Sequence, residues 1–559
     1  MQRFALALCA LAASALPPGS GAAFAAPADL VIWGGPIWTG VEAAPKAEAV
    51  AVEDGKIAYV GARPGAQALV GPTTKVVDLK GAALFPGFTD AHAHLRSIGE
   101  RELTLNLEGA ASAAEVGQRL KAYLAAHPSK GLVQGRGWIE TGWPEARFLE
   151  RGDIDAISGD TPVILGRADG HALVANSAAL KAAGVDETTV APAGGQILKG
   201  PDGKLTGMLV DNAMGLVRKL ASEPTEADRL AAFRAAFKVE TAYGWTGVHS
   251  MSVAWPDVAL LEAMAGRGEA TLRVYNAVDA DEAGPLFEGG PRATPDGRIT
   301  TRAIKLYMDG ALGSRGAVLF SPYADAPAVS GAFVTPPEQM KPVLARALLA
   351  GIQVSTHAIG DRGNATVLDL YEDAFRNVPA NVRLKEPRWR IEHAQIIRPA
   401  DIPRFARDSV IASMQPSHAI GDMHFAPSRL GSARLKGAYA WKSLRDTGAV
   451  VVGGSDAPVE RGDPLIEFYA ATARKDLKGF SNADWHPEEV LSRGEALKLF
   501  TSQAAFARFA ETEIGTLEVG KRADLSGFSV DLMTAPLADI PKGHAVLTVV
   551  DGQIVHQRP

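Results

Sequence analysis

Two of the chain's twelve histidines, His92 and His94, stand two residues apart at the end of an apolar run. Side chains alternate along a strand, so residues i and i+2 point the same way, and two imidazoles on one side can share a metal ion. Alone the pair is weak, because this spacing also arises by chance among twelve histidines. Other ligand-competent residues strengthen it. Lys305 lies on an apolar segment, and His357 (Val-Ser-Thr-His), His393 (Arg-Ile-Glu-His) and Asp456 (Gly-Gly-Ser-Asp) each close one. The sole cysteine, Cys9, lies in the leader, so thiolate ligands and disulfides are excluded from the mature chain. Any metal is held by nitrogen and oxygen, for which zinc is the expected ion and manganese, iron and cobalt the alternatives.

The positions of these residues require particular elements. Short apolar strands alternate with Ala- and Leu-rich helical stretches, the pattern of parallel βα units. Eight strands are expected, at residues 84–94, 246–251, 272–278, 303–309, 353–357, 389–393, 410–416 and 450–456, which makes an α/β fold of the (β/α)8 barrel type. All the candidates except Lys305 then stand at C-terminal strand ends, the face where barrel enzymes assemble their sites. The count requires an insertion after the first strand, at about residues 97–240, with helix-like stretches and one strand at Pro162–Gly166. Residues 310–336, rich in Gly, Ser, Pro and Ala, are a candidate lid. Outside the barrel, residues 27–84 and 507–559 read as hairpin-rich β segments with Asp-Gly turns, expected to pair into one small β-sandwich and leave 85–506 to the barrel.

Residues 1–26 read as a secretory signal: Arg3, an apolar run from Phe4 to Leu16, and the small-x-small site Ala23-Phe24-Ala25. The expected location is periplasmic or extracellular. No later stretch is apolar and long enough to span a bilayer. The formal charge of −6, spread along the chain, argues against a nucleic-acid groove or a membrane-binding patch. A small-molecule substrate is the expected partner, and self-association into a homo-oligomer stays open.

The motifs Phe85-Pro-Gly-Phe-Thr-Asp-Ala-His-Ala-His94 and Ile304-Lys-Leu-Tyr-Met-Asp-Gly-Ala-Leu-Gly-Ser-Arg315, with ligands on strands 1, 4, 5, 6 and 8, resemble the amidohydrolase superfamily in its amidohydrolase-3, YtcJ-like branch. The resemblance covers nearly all of the mature chain. It implies two divalent ions, with His92, His94 and Asp456 on one and His357 and His393 on the other, bridged by Lys305 as its N-carboxylate. It implies hydrolysis by a metal-activated water, with Asp456 as the proton shuttle. An ordinary lysine paired with Asp309, and a helix N-cap at Asp456, are the structural alternatives.

Substrate contact is expected from His249 at the end of strand 2 and from His171 in the insertion; Arg315 could bind a carboxylate, or form a surface ion pair. Trp138 and Trp143 could line a pocket or pack a core, and His418 and His424 stay undecided. His127, His486, His544 and His556 fall outside the expected rim. The expected reaction is cleavage of a carbon–nitrogen bond in a small non-peptide amide, as in the N-substituted formamide deformylases that the chain resembles. Deaminase, lactonase or esterase, and dipeptidase chemistry are the alternatives on the same barrel, and a non-catalytic metal-binding periplasmic protein is the remote one.

Overall fold

A computed structural model describes residues 27–558 apart from 129–130, 141–142, 146, 169, 193–194, 380, 382–384 and 483. The expected signal, residues 1–26, lies outside the described residues.

Eight parallel strands form the centre: β1 (Phe88–Ala93), β2 (Trp245–Val253), β3 (Arg273–Asp279), β4 (Ile299–Tyr307), β5 (Gln353–Ala358), β6 (Arg390–His393), β7 (Ile411–Met414) and β8 (Val451–Gly453). They hydrogen-bond in sequence order. Such strands are buried on both faces, which is why they read as apolar runs ended by polar residues. The circle is nearly closed by the chain just after β8: Asp456 N–H donates to the His92 carbonyl at 2.7 Å, and His94 N–H to that of Ala457 at 2.8 Å. Gly454 makes this approach possible, since a β-carbon there would lie 2.4 Å from the His92 nitrogen.

The expected first strand is two. Ala83–Pro86 belongs to the outer sheet, and β1 starts after Gly87. Ala83–Pro86 pairs antiparallel with Leu525–Phe528 and meets Leu30–Trp38 in parallel, so both chain ends enter one eight-stranded sheet. The sheet returns on itself, with Ile57 N–H donating to the Lys521 carbonyl at 2.8 Å. Its two Asp-Gly turns, 54–55 and 551–552, have positive φ at both residues, as a type I′ hairpin requires. They meet tip to tip: a β-carbon on Gly552 would lie 3.1 Å from Gly55 Cα.

The insertion is richer in strands than the sequence suggests. Between helices α1 (Leu95–Leu103) and α2 (Glu226–Tyr243) it holds a six-stranded sheet, in the order 195–199, 205–211, 172–175, 163–167, 133–138, 105–106, in place of the single strand expected. Trp138 and Trp143 pack in its core, their indole N–H groups bonded to the carbonyls of Leu165 and Ala110. Thr225 caps α2 in a reciprocal box with Asp228, and Gly244, at φ 103°, ends it in time for β2.

Candidate metal centre and active site

The C-terminal strand ends bring all six expected ligands together. His92 Nε2 lies 3.4 Å from Asp456 Oδ1, His94 Nε2 lies 3.1 Å from the same oxygen, and Lys305 Nζ is 3.5 Å from His92 Nε2. The His393 ring is 4.8 Å from that of His92 and 4.5 Å from that of His357. Among the described residues, His92, His393 and Asp456 bring ligand atoms within 4.8 Å of one another. His393 and Asp456 hold left-handed backbone, φ 71° and 58°, a conformation uncommon for non-glycine residues.

Residues that the motif search passed over fix the orientation. Glu392, fully buried, accepts from His92 Nδ1 at 2.6 Å. A carboxylate facing Arg390 at 2.7 Å can only accept, so the His92 proton sits on Nδ1 and the Nε2 lone pair faces the cluster. Gln415 Oε1 holds His393 Nδ1 in the same way at 2.9 Å. Arg-Ile-Glu-His carried the Glu392 signal, since period-two alternation sends Arg390 and Glu392 to one side of the strand. Asp309 does not pair with Lys305; its carboxylate accepts from the N–H groups of Val318, Ile359 and Gly360 at 2.8–2.9 Å.

The electrostatics suit a cation. Burial holds the imidazoles of His94, His357 and His393 below the ordinary histidine range, and Lys305 and the other histidines add to the effect at His357 and His393. Burial likewise lowers Lys305, which is 1% exposed. Burial works to raise the Asp456 carboxyl, but the surrounding histidines outweigh it and hold the group well below the carboxylate range. Neutral imidazoles around an ionised carboxylate are the protonation state in which these groups ligate. His357 Nε2 and Asp456 Oδ1 are buried without a hydrogen bond, as donor atoms directed at an ion would be. The residues therefore fit a metal.

A cavity of about 750 Å³ opens above the cluster, lined by the insertion and by the loops after β4, β7 and β8. A model of the amidohydrolase family matches residues 75–556. The chain is 35% identical to the putative amidohydrolase YtcJ of Bacillus subtilis, over 94% of this chain and 99% of that one. The chain belongs to the amidohydrolase family. An N-substituted formamide deformylase of Arthrobacter pascens is 27% identical over 92% of this chain and 95% of its own. The crystal structure of an uncharacterized metal-dependent hydrolase from Pyrococcus horikoshii superposes with a TM-score of 0.73 at 27% identity, over 91% of this chain and 99% of that one. The protein is thus a metal-using enzyme that hydrolyses carbon–nitrogen bonds of small molecules.

The second-tier residues of the amidohydrolase divide. His171 lines the cavity, its Nδ1 donating to Asp211 at 2.9 Å. His249 does not reach it: β2 runs on to Val253, so His249 lies deeper, fully buried against Tyr275 and 2.8 Å from Arg390. Arg315 does not line the cavity either, and forms the surface ion pair with Asp325 at 2.9 Å. His418 does line it, stacked 6.0 Å from His393, with Nε2 3.7 Å from Asp456 Oδ2. His424 lines it as well, 3.2 Å from Asp476. From the expected lid, Leu312, Gly313 and Val334 form part of the wall.

Proposed function

We propose that this amidohydrolase cleaves a small non-peptide amide, of which an N-substituted formamide is an example, at a centre of two zinc ions with Lys305 carboxylated as the bridge. The observation that carries the reading is the convergence of six ligand-competent side chains, five lining a cavity of about 750 Å³ and His92 buried against them, in a volume suited to a small molecule. His92, His94 and Asp456 would hold one ion, and His357 and His393 the other. The chemistry such ions supply when bound is a more acidic water and a polarised scissile carbonyl.

The remaining work falls to the chain. Asp456, ionised and facing the cavity, takes a proton from the attacking water and returns it to the leaving nitrogen. Burial lowers the Lys305 ammonium and so favours the neutral amine, the form that adds carbon dioxide. Glu392 and Gln415 hold the imidazoles in place, and His171 closes on the substrate from the insertion. The sequence of residues 1–26 supports an exported enzyme, acting outside the cytoplasm.

Metal analysis together with a substrate panel tests the reading. Two zinc ions per chain, a carbon dioxide adduct on Lys305, and amide turnover lost in His92→Ala are the expected results. One ion with an unmodified lysine overturns the binuclear centre, and equal rates in His92→Ala overturn the site.

A further inference from the structure

We propose that Glu460 is the recognition carboxylate for a positively charged group, a primary ammonium or guanidinium, on an aliphatic arm of the substrate. The inference rests on the amide-hydrolysis reading above and names its substrate class.

It follows from an inventory of charge around the cavity. The guanidiniums in the lining are already matched: Arg167 by Glu140 through two contacts of 2.8 Å, Arg461 by Glu108 at 2.8 Å, and Arg429 by Asp325. Lys478 is exposed to solvent. Glu460 has no such match. Its side chain, 32% exposed, lines the cavity, and its Oε1 is 3.8 Å from His418 Nε2, beyond hydrogen-bond reach. The adjacent guanidinium of Arg461 turns to Glu108 instead. Burial and the carboxylates of Asp422, Glu108 and Asp456 push Glu460 up to about 8, so the group is largely protonated near neutral pH, and a cation binds it by drawing off that proton, more readily as pH rises toward 8.

His418, part of the same lining, also has a buried Nε2 without a hydrogen bond. Burial holds its imidazole below the ordinary histidine range. An ammonium donates to both a carboxylate and an unprotonated imidazole nitrogen. Ile420, Val459 and Ile466 also line the cavity and would pack against methylenes. Asp456 Oδ2 and Glu460 Oε1 lie 3.7 and 3.8 Å from the same atom, His418 Nε2, so the two carboxylate oxygens are no farther apart than the sum of those distances, within reach of a short aliphatic arm. The substrate class is an amide carrying an aliphatic amine or guanidine, such as a mono-acylated diamine.

The test uses the metal-loaded enzyme and paired N-formyl and N-acetyl amides of equal length, one ending in ammonium and the other in methyl. The wild-type ratio of kcat/KM, cationic over neutral, should be about 10 to 100. It should fall as salt is raised, approach one in Glu460→Gln, and drop below one in Glu460→Lys. Calorimetric binding of 1,5-diaminopentane, compared between wild type and a Glu460→Gln variant of native metal content, gives a readout independent of turnover. A wild-type ratio near one, or a ratio unchanged in Glu460→Gln, overturns the proposal and leaves amide hydrolysis standing. Diamine binding that requires Glu460 in an enzyme that cleaves no amide supports the subsite and overturns the reaction.

Discussion

Glu392 touches no cavity, yet its replacement should loosen the metal. It accepts from His92 Nδ1 at 2.6 Å and faces Arg390 at 2.7 Å, all three groups being buried. Burial raises its carboxyl, but Arg390 and His92 outweigh that and hold it well below the usual range, so it is charged at every working pH. Glu392→Gln keeps the shape and one acceptor but removes the charge. Hydrogen bonds to charged groups contribute about 1 kcal/mol more than neutral ones, and two such contacts are weakened, so about 2 kcal/mol of stability should be lost. Glu392→Leu removes the acceptors as well as the counter-ion of buried Arg390 and should cost about 3–5 kcal/mol. Metal affinity should fall about 10- to 100-fold in Glu392→Gln, because the imidazole loses the partner that fixes its tautomer and raises its basicity. Competition against a zinc chelator measures the affinity, and urea denaturation of the metal-free protein measures the stability. A folded Glu392→Gln that holds zinc within twofold of wild type would refute the reasoning.

Replacing His171 by Ala should lower kcat/KM about tenfold with metal content unchanged; no change removes it from the substrate contacts. Arg315→Ala should stay within about twofold of wild type, since an exposed ion pair contributes little, and a large loss would return Arg315 to the site. Arg273 is buried against Asp524, with Nη2 to Oδ1 at 3.0 Å, and joins the barrel to the outer sheet; Arg273→Met should cost about 3–5 kcal/mol, seen as a lower calorimetric midpoint, and an unshifted midpoint would discount that link. The metal-free protein should lose stability as pH rises above the ordinary histidine value of 6.5, below which the depressed imidazoles of His94, His357 and His393 cost stability. Glu392 and Asp456, held low, contribute stability above their unfolded values of 4.5 and 3.8 that is lost as pH falls. Asp90 and Asp309, raised by burial to about 6 and about 7, contribute below their unfolded value of 3.8, and that contribution is lost as pH rises through those folded values. Urea midpoints that keep rising up to pH 8 would contradict this balance.

The barrel was legible where a buried strand closes on a polar ligand: His357 and His393 announced both the strand and its chemistry. The insertion was not, because its strands are short or half exposed: Leu105–Asn106 has two residues, and Gly195–Lys199 has none fully buried. His249 misled because a strand's length sets the depth of each layer, and β2 continued four residues beyond it. Glu460 gave no signal, since its meaning lies in which neighbouring cations are already engaged, a property of three dimensions.

The sheet that joins the chain ends has a consequence for biosynthesis. Ala83–Pro86 lies between Leu30–Trp38 and Leu525–Phe528, and the turn at Asp54-Gly55 rests on the one at Asp551-Gly552. A nascent chain halted near residue 520 therefore already holds every proposed metal ligand, yet leaves an apolar sheet face and a strand edge open to other chains. The strands between residues 525 and 557 cover that face and edge. Truncated products should be cleared or aggregate before they work as a slower enzyme.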